Sequence, residues 1–231
     1  MRDEAFDALR TYDWGTDPTV LRPIEEAAVA TRCDPLARQQ LEQRLIAVLG
    51  DCVSRDAKDF ACRMLKTVGT AAATPALEAM LPYPEHSHMA RYALESMPCP
   101  QAGTALRRAL PVLSGPLLAG VLGSLGVRRE AQSVAAIAPF LGDDDPAAAS
   151  AAASALGAIG TAEAAAALAA TRPASDAARR AAIDASLACA ERLLAAGNKT
   201  AAQEIYGRLA GENRPKHIRV AAARGMLASR K

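Results

Sequence analysis

Aromatic side chains are scarce: Phe, Trp and Tyr make up 3% of the 231 residues, with a single tryptophan. Nucleic-acid sites that read splayed bases need aromatic platforms, and large hydrophobic ligand pockets draw on the same residues. Both classes are disfavoured. Long apolar runs are absent as well, so no segment is expected to cross a membrane. The opening Met1-Arg2-Asp3-Glu4 does not begin like a signal peptide. The compartment is then cytoplasmic by default, with an exported chain that has lost its leader as the alternative. Cys33, Cys52, Cys62, Cys99 and Cys189 are odd in number and form no CxxC pair, which argues against a disulfide framework or a thiolate metal site. Most are expected as buried free thiols filling helix cores. No stretch alternates with a period of two, so β structure is not expected.

What is present is alanine. Hydrophobic residues make up 51% of the chain, and between Pro146 and Thr171 the sequence is nearly an alanine polymer, broken by Leu156, Ile159 and Leu168. Alanine has the highest helix propensity but little surface to bury. Helices made of it must approach closely and repeat many small contacts, which a stack of repeats allows. Net charge is only +2, yet residues 172–231 hold 12 Lys/Arg against 5 Asp/Glu while residues 1–171 hold 15 against 20. Such polarity steers partners without deciding the fold.

A phrase recurs along the chain: Leu-x-x-apolar-Gly, then a leucine further on. It reads Leu65-x-x-Val68-Gly69 with Leu77 and Leu81, and Leu156-x-x-Ile159-Gly160 with Leu168. Between them, Leu94-x-x-Met97-Pro98 leads to Leu106 and Leu110. A fourth copy, Leu122-x-x-Leu125-Gly126, carries extra residues around Arg128-Arg129-Glu130 ahead of Val134, Ile137 and Leu141. The spacing suits one helix–turn–helix unit per repeat. Leu and the apolar residue three later share a helix face, and the glycines are expected to end each first helix in a left-handed conformation. Asp17-Pro18, Asp34-Pro35 and Asp145-Pro146 place a cap acceptor before a proline at the first helical position, and Asn213-Arg214-Pro215 reads similarly. Pro75 and Pro139 are expected in the first turn of second helices. About fourteen helices result.

The phrase resembles short HEAT repeats of the kind named for phycobilisome lyases. Thr11-Tyr12-Asp13-Trp14-Gly15, His88 to Leu94 and Gly123 to Arg129 resemble HEAT-repeat proteins of planctomycetes and verrucomicrobia. The resemblance implies an all-α fold, an α-solenoid wound as a right-handed superhelix, with capping helices over 1–53, regular repeats over 54–171 and divergent helices over 172–231. Within the last segment, Leu193, Gly197, Ala202, Tyr206 and Leu209 have tetratricopeptide-like spacing. It further implies a non-catalytic scaffold that binds another protein. The alternatives are nucleic-acid binding through the basic C-terminal end and, from the repeat's namesake, a lyase acting on a tetrapyrrole. No cofactor is expected.

Candidate contact residues follow from chemistry. Arg91 and Tyr92 are binding-type residues in a chain of small side chains, against a reading in which they only seal neighbouring repeats. Arg107-Arg108 and Arg128-Arg129 fall on or before second helices, the concave side of HEAT arrays, where they could form a basic strip for an acidic partner or stay solvated. Glu85-His86-Ser87-His88 offers two imidazoles but no convergent third ligand, so no metal is expected. Asp143-Asp144-Asp145 lacks the alternation of a calcium loop and reads as a helix cap. Arg214, Lys216, Arg219, Arg224, Arg230 and Lys231 crowd the last helix and tail, expected as a soluble cap.

Overall fold

The structure, a computed structural model, describes residues 3–230. They form fourteen α-helices joined by short turns and 3₁₀ segments, with no strand among the described residues. The fold is an all-α solenoid, divided into two compact units, 1–112 and 113–231.

In the first unit, α1 (Asp3–Arg10), α2 (Arg22–Ala30) and α3 (Pro35–Gly50) precede two helix pairs, α4 (Arg55–Val68) with α5 (Thr74–Met80) and α6 (Pro84–Ser96) with α7 (Pro100–Ala109). The first helices α4 and α6 pack side by side, and so do the second helices α5 and α7, giving two layers. Leu65, Val68, Leu77, Leu94, Met97 and Leu106 are all buried between them. The turn after α4 is closed by two residues one turn apart on α3. Arg38 Nε donates to the Val68 carbonyl at 2.8 Å, and the buried Glu42 accepts from the Thr70 amide and hydroxyl. Both satisfy backbone groups that a helix end leaves orphaned.

The second unit holds α8 (Gly115–Arg128), α9 (Val134–Ile137), α10 (Pro146–Ile159), α11 (Ala162–Ala170), α12 (Asp176–Ala195), α13 (Lys199–Leu209) and α14 (Lys216–Ala228). Helix α10 lies between α8 and α12, and its alanines make the close approach possible. At Gly126 of α8 an added Cβ would stand 2.8 Å from the Ala155 Cα; at Gly157 of α10 it would stand 2.8 Å from the Ala185 Cα. Leu122, Leu125, Ile159 and Leu168 are buried. The tetratricopeptide-like residues form the α12–α13 hairpin, turning at Gly197 with φ 83° and burying Leu193, Ala202, Tyr206 and Leu209.

Asp17, Asp34 and Asp145 each accept a backbone N–H at a helix start followed by proline, as expected. Several local expectations are corrected. Gly160 ends α10 at φ 69°, but Gly69 caps α4 with extended backbone at φ −63°, and Gly126 lies inside α8. The extra residues of that repeat carry α8 on to Arg129, which takes the left-handed conformation instead, at φ 54°. Its amide bonds the Leu125 carbonyl just as that of Gly160 bonds Leu156. So Leu125 matches Leu156, and Gly126 matches Gly157. Pro139 sits not in a first turn but past α9, where the helix has tightened to 3₁₀. The last helix starts after Pro215 with no side-chain cap, so Asn213 does not act as one. Of the cysteines only Cys62 and Cys189 are buried; Cys33 and Cys52 are exposed and Cys99 is intermediate.

Candidate functional site

Arg91 and Tyr92 lie on α6, in the first layer of the first unit. Arg91 is half-buried, and burial holds its pKa below the usual range while Glu95 opposes the shift. The Lys66 ammonium sits 3.8 Å from the centre of the Tyr92 ring, covering one face by a cation–π contact. Arg107 and Arg108 lie on α7, in the other layer. Arg107 donates to the Thr104 hydroxyl at 2.9 Å, and Arg108 reaches Glu78 on α5 at 3.7 Å. Arg91 and Tyr92 thus lie in one layer, and Arg107 and Arg108 in the other. In the second unit the Arg128 side chain is 7% exposed and is paired with Glu130, whereas Arg129 is exposed at the end of α8.

The histidines remain apart from any ligand set. His86 is half-buried and His88 exposed at the start of α6, and no three of His, Cys, Asp and Glu gather among the described residues. Asp145 caps α10 through the Ala147 amide, and Asp143 accepts from the Asp145 amide, so the acidic run is engaged locally.

A concavity with several charged side chains lies elsewhere, in the second unit. A cleft of about 430 Å³ opens between α11, α12 and α13. Its floor is apolar: Leu168 from α11, Ile183 from α12, and Ile205 and Leu209 from α13. Leu168, Ile205 and Leu209 are buried, and both α11 and α13 pack against α12. Four guanidinium groups stand around this floor, from Arg172, Arg179, Arg208 and Arg214. Arg172, Arg208 and Arg214 are exposed, and no described side chain pairs with them.

Arg179 differs. It donates to the carbonyls of Pro173 at 3.4 Å and Ala174 at 3.3 Å and forms an ion pair with Asp176. That hydrogen bond, then the arginine's charge, hold the Asp176 carboxyl below its ordinary range. Arg179 therefore braces the loop before α12, which is one rim of the cleft. A shallower continuation runs along α11 past Ala162 and Ala166 toward Glu204.

None of Arg172, Arg179 and Arg208 was singled out by the sequence motifs, because none belongs to the repeated phrase. The signal was the positive excess over residues 172–231, which locates the charge but not which arginines face one another.

Comparison with curated proteins gives no match. Among solved structures, the chain is similar to human deoxyhypusine hydroxylase in complex with glycerol, at 14% identity and a TM-score of 0.41, over 99% of this chain and 95% of that one. It is also similar to an engineered protein, at 16% identity and a TM-score of 0.33, over 100% of this chain and 97% of that one. Neither likeness is close enough to bear on function. Residues 113–188, which run from α8 into α12, match the family model for HEAT repeats.

Proposed function

We propose that the protein is a non-catalytic scaffold that holds another protein in the arginine-rimmed cleft of its second unit. One observation carries this reading: an apolar-floored concavity with three exposed guanidinium groups that no described side chain pairs. Unpaired positive charge beside buried apolar surface fits a binding site, since the floor contributes contact and the rim contributes orientation and charge complementarity. Helical repeat arrays present extended surfaces of this kind. The sequence offers no nucleophile–base constellation, and no His, Cys, Asp or Glu lines the 430 Å³ cleft itself to serve as a general base.

Arg129 and Tyr92 remain candidates for further contact, each on its own unit. Affinity capture from the source cells tests the reading, with wild-type protein beside an Arg172→Glu/Arg208→Glu variant. The expected result is a partner retained by the wild type and lost by the variant. The same partners on both would remove the cleft from consideration. Thermal unfolding of the variant should stay close to the wild type, because neither side chain makes a hydrogen bond or ion pair among the described residues, and the loss of Arg208 from the last turn of α13 costs at most about 1 kcal/mol.

A further inference from the structure

We infer that the occupant of this cleft is a short acidic, amphipathic peptide segment of the partner, with aliphatic side chains on the floor and carboxylates at the rim. The inference rests on the scaffold reading above and adds the chemistry of what is held.

The floor sets the first constraint. The half-buried Ile183 presents aliphatic surface beside the buried Leu168, Ile205 and Leu209, and the flanking wall on α11 is Ala165 and Ala169. Alanines leave no bulk between a ligand and the helix, so a peptide backbone can lie close against α11. The nine residues of α11 span about 14 Å at roughly 1.5 Å per residue, and the cleft volume is about 430 Å³. That accommodates a few side chains from one segment rather than the face of a folded domain. No aromatic residue lines the cleft, so stacked bases would find no platform.

The rim sets the second constraint. Guanidinium forks match carboxylates in a bidentate geometry. Here they come from separate segments: Arg172 before α12, Arg208 on α13 and Arg214 before α14. That arrangement meets several carboxylates spaced along a peptide. A compact phosphate would instead call for convergent backbone amides at a helix start. The helix start beside the cleft, that of α12, is already engaged: Ser175 accepts the Ala178 amide, and Asp176 places its own carboxylate in the first turn. Glu204, at the far end of the groove, gives it polarity, so the acidic part of the ligand belongs at the end nearer Arg172 and Arg214.

The test uses fluorescent peptides of about twelve residues, slightly longer than α11, at physiological salt, with binding followed by anisotropy on the full-length protein. One peptide combines Glu and Asp with Leu and Val at helical spacing. A second keeps the acids but replaces the aliphatics with Ser, and a third keeps the aliphatics with Lys in place of the acids. Inorganic polyphosphate and mixed-sequence single-stranded DNA complete the set. The first peptide is expected to bind, at least tenfold tighter than the other two peptides and tighter than both polyanions. Its affinity should fall at least tenfold in the Arg172→Glu/Arg208→Glu variant and stay unchanged in Arg219→Glu/Arg224→Glu, whose residues lie on α14 away from the cleft lining. Equal binding of the Ser peptide, polyphosphate or DNA overturns the inference, as does an affinity indifferent to Arg172 and Arg208. If no peptide binds while cellular capture still depends on those arginines, the acidic-peptide inference falls and the scaffold reading stands.

Discussion

At the residue scale, the informative positions are those where a local rule is broken. Arg129 holds a left-handed backbone at φ 54°, a conformation that costs an L-residue about 1–2 kcal/mol. Arg129→Gly should therefore raise stability by about 0.5–1 kcal/mol after the greater freedom of unfolded glycine is offset, measured by urea unfolding. A loss instead would mean that the arginine contributes at the helix end more than its backbone strain removes. Asp59 is a second case. One of its oxygens is buried without a hydrogen bond, and burial raises its pKa, only partly opposed by the Arg55 charge. A carboxyl raised in the folded state binds its proton more tightly there than in the unfolded chain. The contribution of this group to stability is then fully present at low pH and is lost as pH rises from the unfolded value through the raised one. Asp59→Asn cannot titrate, so its stability relative to wild type should increase between pH 4 and pH 7. A relative decrease would show that the Arg55 pair, at 3.6 Å, outweighs desolvation.

At the element scale, the glycines of α8 separate two roles. Gly123 faces open space, whereas an added Cβ at Gly126 would meet Ala155 on α10. Gly123→Ala should stabilise by about 0.5–1 kcal/mol through helix propensity. Gly126→Ala should destabilise by roughly 1–3 kcal/mol, because the clash is with backbone that has no rotamer to change. Thermal midpoints moving in opposite directions support this packing; a gain at both positions contradicts it. Helix content, the buried leucines and the Asp-Pro caps were legible in the sequence because each depends on neighbours within a turn or two. The slipped match at Gly126 had a different cause. Leu122-x-x-Leu125-Gly126 satisfies the phrase, but the true helix end is decided by which amide reaches the Leu125 carbonyl. The helix ends of this series then fall at Gly69, Met97, Arg129 and Gly160, a more even ladder than the glycine and proline markers. The arginine-rimmed cleft was illegible for a related reason. It joins α11, α12 and α13 through side chains that carry no periodic signal.

At the scale of the whole molecule, charge is the feature that separates functional classes. Arg219 and Arg224 are exposed on α14, while Ile218 and Ala222 of the same helix are buried; Lys231 lies outside the described residues. Acting as a soluble cap, this basic face should bind mixed-sequence nucleic acid weakly at low salt and not at physiological salt, since counterion release dominates such contacts. Micromolar binding at physiological salt, abolished by reversing Arg219 and Arg224, would make nucleic acid the leading partner. No helix is long and apolar enough to cross a membrane among the described residues. The alanine-rich α10 has a consequence of another kind. Eight of its fourteen residues are buried, between α8 and α12. To a reader of sequences this tract resembles compositional drift, where one small residue is as good as another. Its geometry implies the reverse history: where backbones meet, at Ala155 and Gly157, only the smallest residues fit, so this plain stretch should diverge slowly at those positions.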